Sequence, residues 1–163
     1  IVQMISHGII SAALFFCIGS IYNRYKTKEI NYFGGLSQKI PKMSVFFLIF
    51  TLGAIGFPGS SGFIGEFLTL MSVYSRSTLV AFISSFGVIL AATYMLLLYK
   101  KVFLGPINSN IDNKVNQLHV YETITFLALS IMILIIGIKP NLILSYTTSS
   151  LDRIVSLYPI TIF

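Results

Sequence analysis

Charge is what this sequence has least of. Only 10% of its 163 residues are charged and 55% are hydrophobic, whereas soluble domains carry about 25% charged residues. This shortage excludes an ordinary soluble domain and, with a mean hydropathy of +0.86, predicts a membrane protein. The eleven Lys and Arg residues outnumber the five acids, but they stand at the ends of apolar runs rather than in a stripe among aromatics. That pattern argues against a nucleic-acid partner.

Cysteine is almost absent as well. The single cysteine, Cys17, lies inside an apolar run, so the chain has no internal disulfide and no cysteine set for a metal or an iron–sulfur cluster. A Gly-rich phosphate loop is also missing. We therefore predict no catalytic residue, no metal site and no cofactor-binding site in this chain. Its first residues show no signal-peptide pattern either, because no basic region precedes the first apolar run.

Long uncharged runs are what the sequence does have. They predict one all-α transmembrane region over 1–163, with crossings at about 1–22, 43–75, 77–99 and 118–138. About 20 apolar residues at 1.5 Å each are enough to cross a bilayer core.

The loops and the tail set the orientation of these crossings. The loops at 23–42 and 100–117 hold eight of the eleven basic residues, so the positive-inside rule places them in the matrix or the cytoplasm. The tail, 140–163, then begins on the opposite side. Its apolar residues recur at helical spacing beside Asp152 and Arg153, which favours an interfacial helix or a packed extension of the last crossing.

The second crossing is too long for one straight helix. It has 33 residues and one charge, and a straight helix of that length would measure about 50 Å. The sequence predicts a break near Gly56–Gly62, formed by Gly56, Pro58, Gly59 and Gly62. Irregular backbone at membrane depth is tolerated only inside protein or beside water, so the break predicts a wet internal path. Broken helices of this kind recur at ion sites in transporters.

Two ionisable residues lie inside the predicted crossings. Glu66 follows the break, and a carboxylate at membrane depth is a functional candidate because its insertion costs roughly 3 kcal/mol. We predict that it loads and releases a proton. An alternative is that Glu66 caps the second half-helix, with Ser60 or Ser61 as its N-cap. His7 is a second candidate for the proton path, and its alternative is a histidine bonded to a carbonyl or a helix neighbour.

Several stretches together resemble subunit 4 of NADH dehydrogenase, an antiporter-like membrane subunit of respiratory complex I. The most specific is LGAIGFPGSSGFIGEFLTL, which resembles the broken helix of that family. The others are QMISHGIISAALFF, YKTKEINYFGGL, YKKVFLGP and GIKPNLIL, and all five keep the family's order. The resemblance implies that this chain corresponds to the last four of fourteen transmembrane helices.

The resemblance also implies roles for single residues. Glu66 matches the ionisable residue of the broken twelfth helix, at the end of a hydrated half-channel leading toward the outer side. His7 matches a histidine of the eleventh helix near the same polar axis. Glu122 resembles the acid that opens the last helix, as a cap or a lateral contact rather than a proton carrier. The family's other ionisable residues belong to upstream helices, so a further segment or a separate chain is expected to supply them.

The chain is therefore expected to contribute the outer half of a proton translocation path in the membrane arm of complex I. NADH, flavin, iron–sulfur clusters and ubiquinone are expected in other subunits, and membrane lipid and those subunits are the expected partners. The sequence has 25 isoleucines but only 7 alanines, a bias typical of AT-rich organelle genomes. It predicts the mitochondrial inner membrane, with a bacterial inner membrane as the alternative. Two other functions stay open: a subunit of a sodium/proton antiporter, and a structural membrane element.

Overall fold

The chain forms seven α-helices and one 3₁₀ turn, Ile30–Tyr32, in the part that the structure describes. The structure is a computed structural model and describes residues 1–108, 111 and 117–157. The helices are α1 (Val2–Tyr25), α2 (Leu36–Lys39), α3 (Pro41–Ala54), α4 (Ser61–Tyr74), α5 (Thr78–Phe103), α6 (Val120–Ile138) and α7 (Asn141–Leu157). The predicted all-α fold is confirmed. Most of the predicted loop between residues 107 and 117, and residues 158–163 of the predicted tail, lie outside the described residues.

Three helices are long and apolar enough to cross a membrane. They are α1, α5 and α6, with 24, 26 and 19 residues. The shortest of them measures about 28 Å at 1.5 Å per residue, close to the thickness of a bilayer core. α5 differs from the other two because none of the residues in its most apolar stretch is buried in the chain.

The second crossing is discontinuous, as predicted. α3 and α4 have 14 residues each, about 21 Å, so neither crosses a bilayer core alone. They are joined by residues 55–60, which we call the break. Gly56 and Gly59 have φ of +74° and +94°, a region that glycine enters without steric cost. Gly62, which was expected in the break, lies instead in the first turn of α4.

The packed core lies toward the end of the molecule that carries the basic loops. Its largest fully buried side chains include Phe50, Phe103, Phe126 and Met43, which come from α3, α5 and α6. α1 packs against α3, α4 and α6, so it is the central helix. Cys17 is fully buried on α1 and is therefore a packing residue rather than a lipid-facing one.

The tail forms α7 directly after Pro140. Leu144 and Thr147 of this helix line a cleft together with residues of α1 and α4. The predicted position of the tail at the membrane interface stays a prediction.

Candidate functional site

Glu66 lies in the second half of the second crossing, about one and a half turns into α4. Ser60 caps this helix, because its side chain accepts a hydrogen bond from the N–H of Phe63 at 3.4 Å. The helix therefore begins at Ser61, one of the two starts that the sequence left open, and its first turn holds no acid. One part of the alternative is confirmed, because Ser60 is the N-cap of α4. Glu66 itself does not stabilise the start of the helix, since it lies beyond the first turn, where a negative charge is favourable.

The carboxylate of Glu66 folds back onto the break. Oε2 of Glu66 lies so close to Gly56 that a Cβ on this glycine would overlap it. Side chains on a helix lean toward its N-terminus, which explains why Glu66 points at the link that precedes α4. Gly56 is thus required twice, for its positive φ and for the space that the carboxylate takes.

Glu66 has no hydrogen-bond or ion-pair partner among the described residues, and it is half-buried. A carboxylate in such surroundings is costly unless something pairs with it, so proteins keep one there mainly for function. Its proton-binding oxygens are therefore available to water or to a group that this chain does not supply.

Hydroxyl groups surround the break. Ser6 of α1 donates a buried hydrogen bond of 3.0 Å to the carbonyl of Ser61, which ties α1 to the start of α4. The side-chain oxygens of Thr51 and Ser61 are buried and have no partner in the part of the chain that the structure describes. Buried hydroxyls without a protein partner are the usual positions of ordered water.

The backbone of the break is largely satisfied by its own turns. The N–H groups of Ile55, Gly56, Phe57 and Ser60 donate to carbonyls of residues 51, 53, 52 and 57 at 3.0–3.2 Å. The sequence predicted water at this depth because irregular backbone leaves polar groups unpaired. In the structure the candidates for binding water are the hydroxyls and Glu66 rather than these amides.

Two glycines allow neighbouring helices to approach the break closely. A Cβ on Gly62 would overlap the carbonyl oxygen of Gly53 in α3, and a Cβ on Gly137 of α6 would overlap the carbonyl oxygen of Gly59. Backbone therefore contacts backbone on two sides of the break. Any larger residue would push α3 or α6 away from it.

The hydrogen bonds of His7 lie within its own helix. His7 is exposed on α1, and its Nδ1 lies 3.1 Å from the hydroxyl of Ser11, which also donates to the His7 carbonyl at 2.5 Å. This is the helix-neighbour arrangement that the sequence left open. No hydrogen bond among the described residues joins His7 to Glu66, so any link between them needs water or further helices.

The other membrane-helix glutamate, Glu122, is fully engaged. Its Oε2 accepts from the N–H of His119 at 2.7 Å, which caps α6, and forms an ion pair with Arg24 at 2.6 Å. Its Oε1 accepts from Arg24 at 2.9 Å and from the hydroxyl of Ser20. The expected role as cap and lateral contact is confirmed. Sequence reasoning missed Arg24, which it counted only as a basic loop residue, although an arginine that ends an apolar helix opposite an acid at the start of another was a usable signal.

The first 91 residues, which include α1 and the broken crossing, match a known protein family. The family model described as "NADH:quinone oxidoreductase/Mrp antiporter, TM" matches residues 1–91, more than half of the chain. The chain belongs to this family. The broken crossing of this chain, with Glu66, lies within the residues that match the NADH:quinone oxidoreductase/Mrp antiporter family.

Relatives and a solved structure agree with this assignment. NADH-quinone oxidoreductase subunit M of Rickettsia prowazekii is 44% identical over 154 residues, 94% of this chain and 31% of that protein. NADH-ubiquinone oxidoreductase chain 4 of Marchantia polymorpha is 39% identical over 155 residues, 95% of this chain and 31% of the relative. A structure of respiratory complex I from Thermus thermophilus with bound NADH contains a chain with 34% identity and a TM-score of 0.77, over 83% of this chain and 28% of that one.

These findings confirm the resemblance to the C-terminal part of subunit 4. This family member is a multi-pass membrane protein, and it spans about 31% of the length of the curated relatives. Bacterial and plant proteins match it to a similar degree.

Proposed function

We propose that this chain is a portion of a proton-translocating membrane-arm subunit of NADH:ubiquinone oxidoreductase. It contributes the outer half of a proton path, with Glu66 as the group that binds and releases the proton. The observation that carries this proposal is the position of Glu66, whose carboxylate lies against a helix break at membrane depth without a partner among the described residues.

The chemistry of the step is a simple protonation. Glu66 accepts a proton at one carboxylate oxygen from water that reaches the break, and releases it toward the side opposite the basic loops. The unpartnered hydroxyls of Thr51 and Ser61 are suited to hold that water, because each can both donate and accept a hydrogen bond. His7, which is exposed on α1, is a secondary member of the path in this proposal.

Redox chemistry belongs to other subunits in this proposal. NADH, flavin, iron–sulfur clusters and ubiquinone are bound elsewhere in the complex, and this chain carries no catalytic redox site. Its partners are the other membrane-arm subunits, including the chain or segment that supplies the upstream helices. We propose the mitochondrial inner membrane as its location, supported by the isoleucine-rich composition and by the similarity to the Marchantia chain 4.

The test is the substitution Glu66→Gln in the assembled complex, in sealed membrane vesicles. Proton uptake driven by NADH is measured and divided by the rate of NADH oxidation and by the amount of assembled complex. We expect a fall of about tenfold or more, because general acid–base groups contribute at least that much. Glu66→Asp, which keeps a carboxylate on a shorter stem, is expected to retain part of the pumping.

Glu29→Gln is the matched control. It removes one carboxylate from an exposed loop residue and changes the net charge by the same amount, so pumping is expected to stay normal. If Glu66→Gln also pumps normally, the chain is a structural element and the proton role of Glu66 is wrong.

A subunit of a sodium/proton antiporter is the second candidate, because the matching family model covers both kinds of protein. Native purification followed by mass spectrometry separates the two. NADH-oxidising subunits in the purified assembly support the first proposal, and a set of antiporter subunits without them supports the second.

A further inference from the structure

An apolar groove opens at the basic-loop end of the molecule, between α1, α3 and α5. It has a volume of about 250 Å³. Its floor is buried and apolar, and its exposed rim lies on α1 and on the loop that follows this helix. The floor includes Ile21, Phe33, Phe47 and Val102, and the rim includes Ile18, Lys28 and Ile30. Because Ile18 stands two turns before the end of α1, the groove reaches about 10 Å from the loop into the hydrocarbon region.

Two lysine side chains meet beside this groove. Nζ of Lys26 lies 5.9 Å from the centre of the Tyr22 ring, and Nζ of Lys28 lies 5.3 Å from the same centre. Neither lysine forms an ion pair among the described residues, and neither does Glu29, the exposed acid of this loop. Two like charges beside one ring repel each other, and the ring offsets only part of that cost. The two ammonium groups therefore favour an anion between them.

The loop that carries these lysines is packed against the molecule. The chain leaves α1 at Lys26, which has a φ of +56° and donates its N–H to the last turn of the helix at 2.8 Å. The N–H of Glu29 donates to the hydroxyl of Thr27 at 3.2 Å. Three rings pack edge to face behind the loop, with centres 5.5–6.4 Å apart: Tyr25, Tyr32 and Phe33. The basic end of the groove is thus preformed, which lowers the entropic cost of binding.

The size of the groove limits what it can hold. One turn of a helix that is 10 Å wide and 5.4 Å high fills about 400 Å³, so a transmembrane helix of another subunit is too wide to enter. Small-molecule sites usually measure about 300–1,000 Å³ and contain convergent polar groups, whereas this lining is apolar apart from Thr27 and Lys28. The groove therefore suits a single hydrocarbon chain with a charged head at the loop. An uncharged head would leave both ammonium groups without an anion.

We propose that this groove binds an anionic phospholipid of the leaflet on the basic-loop side. Its phosphate lies between the ammonium groups of Lys26 and Lys28, and one acyl chain lies along Ile18, Phe47 and Leu98. Lysine meets a phosphate as a point charge rather than as a directional fork, so the site selects for charge. The inference does not rest on the proton role of Glu66, and it gives the expected lipid partner a defined place in the fold.

Photochemical crosslinking in the assembled complex tests this site. The complex is transferred into phosphatidylcholine nanodiscs that contain a small fraction of phosphatidylglycerol with a diazirine in one acyl chain, and the crosslinked residues are located by mass spectrometry. Phosphatidylcholine with the same diazirine is the neutral probe. We expect the anionic probe to label Ile18 and Leu98 about tenfold more than the neutral probe, because each basic residue at a membrane surface strengthens anionic-lipid binding about fivefold.

An exposed residue at similar depth serves as the reference position. Ile124 is 61% exposed and lies just after the start of α6, so it contacts lipid of the same leaflet without a groove. The two probes are expected to label Ile124 equally. Equal labelling of the groove by both probes, or the same preference at Ile124, would overturn the proposal.

The double variant Lys26→Gln, Lys28→Gln tests the headgroup position. We expect the preference for the anionic probe at Leu98 to fall to about one. The matched control is Lys42→Gln with Lys100→Gln, two exposed lysines at the same end that do not line the groove, and the preference is expected to remain. A double variant of Lys26 and Lys28 that keeps the preference would overturn the role of these lysines.

The variant Ile18→Trp tests the position of the acyl chain. Ile18 is 44% exposed, so a larger side chain at this position fills the groove from its rim while both lysines stay in place. Labelling of Leu98 by the anionic probe is expected to fall about fivefold, and Phe16→Trp, at a 57% exposed position outside the groove, is expected to leave it unchanged. Unchanged labelling in Ile18→Trp would overturn the acyl-chain position. A groove that neither probe reaches would show that a neighbouring subunit covers it, which would also overturn the proposal.

Discussion

The two glutamates of the membrane helices, Glu66 and Glu122, are chemically identical but differently surrounded. Glu122 lies at the start of α6 and is bonded to Arg24, Ser20 and the N–H of His119. Glu66 lies beside the break with no bonding partner among the described residues. In the proposed function, the partners of a carboxylate, rather than its depth alone, separate the structural role of Glu122 from the proton-carrying role of Glu66. A saturated carboxylate has no lone pair to spare for a proton in transit.

The largest expected effect comes from removing the ion pair between Arg24 and Glu122. Arg24 and Glu122 expose only 8% and 10% of their side chains, and removing one partner of a buried ion pair costs about 3–5 kcal/mol. We expect Arg24→Ala to lower the thermal stability of the assembled complex markedly. Glu66→Gln, by contrast, is expected to leave thermal stability unchanged, because no ion pair is lost.

The control for that prediction is Lys26→Ala, two residues further along and exposed. It removes the same charge outside the buried pair, so the thermal inactivation temperature is expected to stay within error. An Arg24→Ala complex as stable as the Lys26→Ala complex would show that the ion pair is not structural.

The next effect concerns the packing around the break. Gly137→Ala places a methyl group on the carbonyl of Gly59, and overpacking of this kind costs about 1–3 kcal/mol. We expect lower thermal stability together with reduced pumping, because α6 and the break move apart. Gly19→Ala in α1, where nothing lies within 4 Å, is the matched change and is expected to be neutral or slightly stabilising.

A smaller effect is expected at the two serine N-caps. Ser60→Ala and Ser77→Ala remove equivalent caps, each accepting an N–H at 3.4 Å, at a cost of about 1 kcal/mol. Only Ser60 borders the break, so only its loss is expected to shift the α4 start and lower pumping. Equal pumping in the two variants would show that the Ser60 cap does not affect the proton path.

The smallest effect is expected at His7. Its ring is exposed and bonded to Ser11 within the same helix, so His7→Gln is expected to lower pumping by about twofold at most. The loss of pumping in His7→Gln is compared with the loss in Glu66→Gln in the same assay. A loss as large as that of Glu66→Gln would place His7 on the main path.

The discontinuous crossing could be predicted because its evidence is local. A run of 33 residues with one charge cannot form a single straight crossing, and Pro58 with its neighbouring glycines leaves one place for the interruption. The exact start of α4 could not be predicted from the sequence, because Ser60 and Ser61 are both competent N-caps. The structure selects Ser60, and with either cap Glu66 lies beyond the first turn of α4.

The site itself could be predicted only in part. Glu66 is recognisable from sequence because a lone acid in an apolar run is unusual. Arg24 is not, because its role depends on a contact with Glu122, 98 residues away, just as Gln3 contacts Gly65, 62 residues away. Such pairings follow from the antiparallel packing of α1 against α4 and its contact with α6, which no local pattern encodes.

The hydrogen bonds inside the break have a mechanical consequence. Three of its amides donate back to carbonyls of α3, and the amide of Ser60 donates to the carbonyl of Phe57 across Pro58 and Gly59. Close backbone contacts of Gly62 with Gly53 and of Gly137 with Gly59 hold the two half-helices in addition. We therefore expect this elbow in the second crossing to keep its angle, so that in the proposed function gating comes from rotation of one carboxylate and the waters around it rather than from the half-helices swinging apart.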